Sequence, residues 1–197
     1  MIIENYFSLS ILSCICNNIN TEELENFAYD LKNKNLGRQS TNVNSWQSDD
    51  LDLNNPILNK LKIEIIKNCN ILHKELSLKE KYTTKIQNIW LNVHPKGGGN
   101  IPHVHNESVF SGVFYIKTKG QEGRLVFTHP SDNHSYHFNE PVVEKWTNKN
   151  SGKCFIVPQK FKMVIFSSMA NHYVEPNTLD EDRISIAFNT KIEKIYE

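Results

Sequence analysis

The stretch MVIFSSMANHYVEPNTLDEDRISIAFN, Met163–Asn189, decides the architecture of this chain. Two apolar runs of β-forming residues, MVIFSS and RISIAFN, bracket a polar, turn-rich segment, which reads as strand, turn, strand. In the second run, side chains two apart share a face. Arg183 and Ser185 therefore project to one side, and Ile184 and Ile186 project to the other, into a core layer. His172 lies 183 − 172 = 11 residues before Arg183, a separation that lets one strand leave a site and the next return to it.

Working outward, more runs of the same kind precede it: KIQNIWLNV (Lys85–Val93), SGVFYIKT (Ser111–Thr118), GRLVFTHP (Gly123–Pro130) and CFIVP (Cys154–Pro158). Gly97-Gly98-Gly99 and the pair Gly120 and Gly123 punctuate them. Short strands with regular turn signals predict a double-sheet, mainly β architecture, a barrel or jelly roll. The glycine run lacks the GxxxxGK[ST] pattern and precedes a strand, so it is not a phosphate loop.

The N-terminal part has a different character. Asn20 before TEELENFAYDLKNK, with Glu23 three residues on, is a capping-box pattern, and Leu24, Phe27, Ala28 and Leu31 follow helical spacing. Pro56 opens a second helix with an apolar stripe of Leu58, Leu61, Ile65, Cys69 and Leu72. The loop between them is polar, and Trp46 within it reads as a packing anchor. The expected organisation is one domain over 1–197, with helical support over 1–82 and the β core over 83–197.

Composition narrows the function classes. Lys+Arg and Asp+Glu are both 22, so the net charge of +0 offers no general attraction for nucleic acid or an anionic membrane. Cys14, Cys16, Cys69 and Cys154 are scattered without a CxxC pair, which predicts reduced, mostly buried thiols rather than a zinc finger. The N-terminus lacks a basic n-region, and no run reaches the roughly 20 apolar residues of a membrane span. A cytoplasmic protein, with room for a homodimer, is the expectation.

The histidines carry the chemistry. His103 and His105 are two apart in PHVHNES, so an extended chain points both to one face, where they can chelate one metal. His172, at the end of another strand, can close the site from across a barrel. Two imidazoles plus one further ligand leave open positions, an arrangement typical of non-haem Fe(II) oxygenases. Two registers remain open: His103 with His105, giving a three-histidine site with His172, or His105 with Glu107, leaving His103 beside the metal rather than on it. Arg183 is placed to hold a carboxylate bidentately, with the Ser185 hydroxyl adding a bond. The alternative for Arg183 is an ion pair with the neighbouring Asp180, Glu181 and Asp182. His94 is either packing or substrate contact. His129, His134 and His137 fall in a polar turn-rich segment at the site mouth or in solvent and are not assigned to metal.

From Trp90 to Asn189 the chain resembles the 2-oxoglutarate/Fe(II) dioxygenases, and among them a subgroup of oxygenases found in bacteria and phages. The residues that carry the resemblance are Trp90-Leu91-Asn92, His103-Val104-His105, Ser111 to Tyr115, Phe166 to Asn177 and Arg183 to Asn189, with Trp46-Gln47-Ser48 as a weaker echo. The resemblance implies a double-stranded β-helix (a cupin-like jelly roll) with flanking helices. It implies Fe(II) on the first-strand pair and His172, and 2-oxoglutarate as co-substrate with its far carboxylate on Arg183 and Ser185. Tyr115 and Asn92 match positions that line the co-substrate pocket, although Tyr115 also reads as barrel core. The implied reaction uses O2, releases succinate and CO2, and hydroxylates a primary substrate that the residues do not identify. The family pattern is HxD or HxE, and HxH at 103–105 departs from it. A three-histidine dioxygenase that uses no 2-oxoglutarate, and a non-catalytic binding module on the same fold, are the alternatives.

Overall fold

The computed structural model describes residues 2, 8–130, 142–147 and 149–195. Its elements run β1 (Ile11–Ile15), α1 (Thr21–Lys34), β2 (Asn42–Val43), β3 (Trp46–Gln47), a 3-10 turn at Pro56–Leu58, α2 (Asn59–Glu75), β4 (Tyr82–His94), β5 (Gly99–His103), β6 (Phe110–Lys117), β7 (Leu125–Thr128), β8 (Lys153–Ile156), β9 (Lys162–Ser167), β10 (His172–Val174) and β11 (Arg183–Lys194). They form two antiparallel sheets. The larger has the order β1-β9-β6-β11-β4-β3 and the smaller β2-β5-β10-β7-β8. This is the double-sheet jelly roll that the strand pattern predicts, with the flanking helices of the double-stranded β-helix that the resemblance implies.

The first helix begins where its sequence says it should. Asn20 caps α1, its side chain accepting from the Glu23 N–H at 3.3 Å, with Glu22 and Glu23 in the first turn and Lys32 and Lys34 in the last, each complementing the helix dipole. Pro56 opens the 3-10 turn rather than α2 itself. The predicted stripe of Leu58, Leu61, Ile65, Cys69 and Leu72 is fully buried.

Burial of these stripes against the larger sheet makes the main core. From the sheet side, Ile89, Leu91 and Val93 of β4 and Ile184, Ile186 and Phe188 of β11 fill it. Strict alternation then turns the intervening residues to the opposite face. A smaller core of Tyr115, Leu125, Phe127, Val164 and Phe166 lies between the sheets. At Gly112 the neighbouring strands β9 and β11 leave no room for a side chain. A Cβ there would lie 2.3 Å from Phe188 Cζ and 2.7 Å from the Val164 carbonyl oxygen, which accounts for the glycine in the SGVFY run.

Trp46 is buried as expected, donating from Nε1 to the Asn35 carbonyl at 3.0 Å. Cys16 and Cys69 are buried, Cys14 is half-buried and Cys154 is exposed, all of them free thiols. No helix among the described residues is long and apolar enough to cross a membrane. His134 and His137 lie outside the described residues.

Candidate metal and co-substrate site

Register builds a ladder of residues facing the smaller sheet. At one end His94 of β4 pairs with Arg183 of β11. The next rung is Asn92, Ser185 and Tyr115, then Trp90, Ala187 and Val113, then Asn88, Asn189 and Ser111. All of them line one cavity of about 390 Å³, a volume suited to small-molecule ligands.

The smaller sheet supplies the opposite wall. His172 opens β10 and pairs directly with His103 at the end of β5. His105 follows two residues on, its chain held by a hydrogen bond from its N–H to the Ser168 carbonyl at 2.9 Å. The ring centroids of His103 and His172 are 4.3 Å apart, those of His103 and His105 5.0 Å, and those of His105 and His172 5.2 Å. One nitrogen from each lies within 4.8 Å of the others. Imidazole nitrogens about 2.1 Å from a divalent ion sit about 3 Å apart when adjacent on it, so a small inward rotation closes this set on a metal.

Hydrogen bonds fix two of the rings. Nδ1 of His172 donates to the Ala170 carbonyl and Nδ1 of His103 to the Ile101 carbonyl, each at 2.8 Å. That leaves Nε2 of both rings as the free lone pair, the usual support for a ligating imidazole. Burial, with the neighbouring rings, holds His105 down to about 4 and His172 down to about 3, and burial also lowers His103. Near neutral pH all three are uncharged, the form that binds metal. Glu107 is exposed and stands outside this cluster of His103, His105 and His172.

Arg183 is 1% exposed. Its Nη1 donates to the Gly123 carbonyl, and its Nε–H has no partner. The acids beside it are spent elsewhere: Asp180 on Lys96, Glu181 on Lys119, and Asp182 on Lys32 and the Tyr29 hydroxyl. No carboxylate among the described residues pairs with this guanidinium. Asn92 Oδ1 and His94 Nδ1, on the same rungs, are likewise buried without partners. Tyr115 is buried beside them, and burial pushes its hydroxyl up to about 12, so it stays protonated as a donor. An enclosed end with an unpaired cation and unsatisfied polar atoms is built for a small polar anion.

His94 belongs to this enclosed end. Its Nε2 meets Asn100 Oδ1 at 2.9 Å, and burial beside the Arg183 charge holds it down to about 3. A folded-state value below the unfolded 6.5 means the unfolded chain takes up the proton first, so stability present above pH 6.5 is lost as pH falls toward 3. Acidification from pH 7.5 to 5 is expected to cost about 2 kcal/mol through this residue. Urea unfolding of His94→Gln should show a pH dependence shallower by that amount, and identical pH dependences would refute the assignment.

Sequence reasoning placed the histidines and Arg183 but missed Arg38, Gln39, Ser40 and Thr41, a loop segment that also lines the cavity. Arg38 lies 5.6 Å from the Trp90 ring, and Trp90 in turn lies 5.9 Å from His105. The one available signal was the positive charge in an otherwise polar loop.

Comparisons with known proteins agree with this geometry. Residues 88–189 match the model of the family described as "Putative 2OG-Fe(II) oxygenase". No curated protein sequence matches the chain. Among solved structures, a prolyl-4-hydroxylase from Pseudomonas putida is similar with a TM-score of 0.63 at 12% identity, over 92% of this chain and 93% of that one. HygX from Streptomyces hygroscopicus, with nickel and 2-oxoglutarate bound, gives 0.59 at 10% identity over 92% and 82%. SnoN, a non-haem α-ketoglutarate-dependent epimerase from nogalamycin biosynthesis, gives 0.67 at 10% identity over 94% and 80%. At such identities the structural likeness speaks to the fold.

Proposed function

This chain belongs to the 2OG-Fe(II) oxygenase family, and from that premise we propose that His103, His105 and His172 hold its iron while Arg183 anchors 2-oxoglutarate. The observation that carries the reading is the buried Arg183 guanidinium, which forms no ion pair with a carboxylate among the described residues. The far carboxylate of 2-oxoglutarate supplies that partner, with the Ser185 and Tyr115 hydroxyls as additional donors on the adjacent rung. Asn92 completes the same wall.

The residues fit the metal too. Three neutral imidazoles converge, two with their second nitrogen tied to backbone carbonyls, and Phe127, Phe166 and Trp90 surround them. Bound Fe(II) supplies the redox chemistry that couples oxidative decarboxylation of 2-oxoglutarate to oxidation of a second substrate by O2. For a hydroxylation the balance is substrate C–H plus 2-oxoglutarate plus O2, giving C–OH plus succinate plus CO2. The protein's share is to fix both organic partners in one cavity and to keep water away with its aromatic wall.

An anaerobic titration tests the reading. Iron-loaded protein is expected to take up one 2-oxoglutarate per chain with a visible charge-transfer band, and on exposure to O2 to release succinate. Iron uptake without 2-oxoglutarate binding would instead favour a three-histidine dioxygenase of another kind.

A further inference from the structure

We infer that the end of the cavity beyond the histidines takes a primary substrate presenting an uncharged amide group, and discriminates against a carboxylate. The inference rests on Arg183 being the anchor for 2-oxoglutarate, which leaves the opposite end of the ladder for the second substrate. His105 faces the Trp90 rung. The next rung outward is Asn88, Asn189 and Ser111, three adjacent polar residues contributed by three neighbouring strands. With strand residues spaced about 3.3 Å, this rung lies about 7 Å along from the level of the metal ligands, within reach of a group bonded near the reacting carbon.

The charges decide the class of ligand. Among the described residues, the one charged side chain besides Arg183 that lines the cavity is Arg38, and it is already paired with Asp50 at 2.9 Å. A carboxylate at this end would have to displace Asp50 from Arg38. An ammonium group would find no lining carboxylate among the described residues. A neutral group meets neither penalty.

The hydrogen-bonding pattern narrows it further. Asp50 Oδ2 accepts from Asn88 Nδ2 at 3.1 Å, which fixes the amide so that Oδ1 is the end left over. Asn88 Oδ1 and Arg38 Nε are both shielded from water without a partner. One is an acceptor and the other a donor. An amide, with N–H and C=O on one plane, offers the complementary pair and relieves both. Asn189 adds a second donor, since its Oδ1 is taken by the Ser111 hydroxyl at 2.7 Å. Asp50 is thus a positioning residue: it spends the charge of Arg38 and orients Asn88.

The test uses the full chain loaded with Zn(II) and 2-oxoglutarate, with N-acetylalaninamide and N-acetylalanine as matched neutral and anionic probes in ligand-detected NMR titrations. The amide is expected to bind at least about tenfold tighter than the carboxylate. Asp50→Asn, which frees the Arg38 charge, should narrow that ratio below about threefold by strengthening the carboxylate. Asn88→Ala should weaken the amide about five- to tenfold and leave the carboxylate unchanged. A carboxylate that binds the wild-type protein as tightly as the amide overturns the proposal, as does failure of both probes to bind while 2-oxoglutarate is held. If 2-oxoglutarate binding survives loss of Arg183, the anchor assignment itself is wrong and both readings fall together.

Discussion

His172→Ala is expected to lose iron and turnover together, with metal affinity reduced by more than about 100-fold. That figure is the upper end of what substitutions outside the coordination shell cost, and His172 is assigned to the shell itself. The residue does not face the other two from across the barrel but sits beside His103 on the neighbouring strand: it starts β10, pairs with His103 on β5, and is 4% exposed among Phe127 and Phe166. Its removal would leave His103 and His105 alone, with an apolar gap beside them. His103→Ala should behave alike, whereas Glu107→Gln should keep iron and activity within about twofold, because Glu107 is exposed and outside the cluster. The comparison separates the two registers that the HxH motif allows. Iron retained in His103→Ala but lost in Glu107→Gln would establish His105 with Glu107 as the ligand pair. Iron content by metal analysis and succinate yield report the two effects independently.

The long elements of this fold were legible in the sequence because their periods are long enough to register. β4 and β11 each run for a dozen residues or more, and their alternation separates Ile184 and Ile186 from Arg183 and Ser185 without ambiguity. α1 and α2 announce themselves by Asn20 and by a continuous apolar stripe. The elements that sequence reasoning missed are those with too few residues to show a period: β2 and β3 with two residues each, and β10 with three. β1 is five residues long, but its apolar run continues from an N-terminal stretch of similar character, and only its pairing with β9 defines it. The same limit applied to the site. His172 stood out by its spacing from Arg183, but β10 itself was hidden. Arg38 could not be found, because its place over Trp90 comes from a tertiary contact between a loop and a strand far along the chain. Asn88 and Asn189 were within reach of the alternation argument, being in phase with Asn92 and Arg183, yet nothing in a single sequence says that such a phase opens into a cavity.

Loss of Arg183 should move stability and function in opposite directions. Without a bound anion, this guanidinium is a buried charge with one hydrogen bond, to the Gly123 carbonyl, and burial lowers its proton affinity. Such a group is costly to the folded state unless paired, and replacing it by an apolar side chain of similar length removes that cost at the expense of one carbonyl's partner. Arg183→Met is therefore expected to leave the stability of the ligand-free protein unchanged or raise it, by up to about 2 kcal/mol. Its affinity for 2-oxoglutarate should fall by about 100- to 1,000-fold, the loss of roughly 3–4 kcal/mol that follows truncation of one member of a buried charge pair. Arg183→Lys keeps the charge but not the fork, and should recover only part of the affinity. The thermal shift produced by 2-oxoglutarate gives a further check, since a ligand that binds only the folded state stabilises in proportion to the logarithm of its saturation. A large shift in wild type and almost none in Arg183→Met, with the ligand-free melting temperature of the variant equal or higher, is the expected pair of results. A variant that binds 2-oxoglutarate within threefold of wild type would mean that the unpaired cation has another partner, and that the anion site lies elsewhere in the cavity.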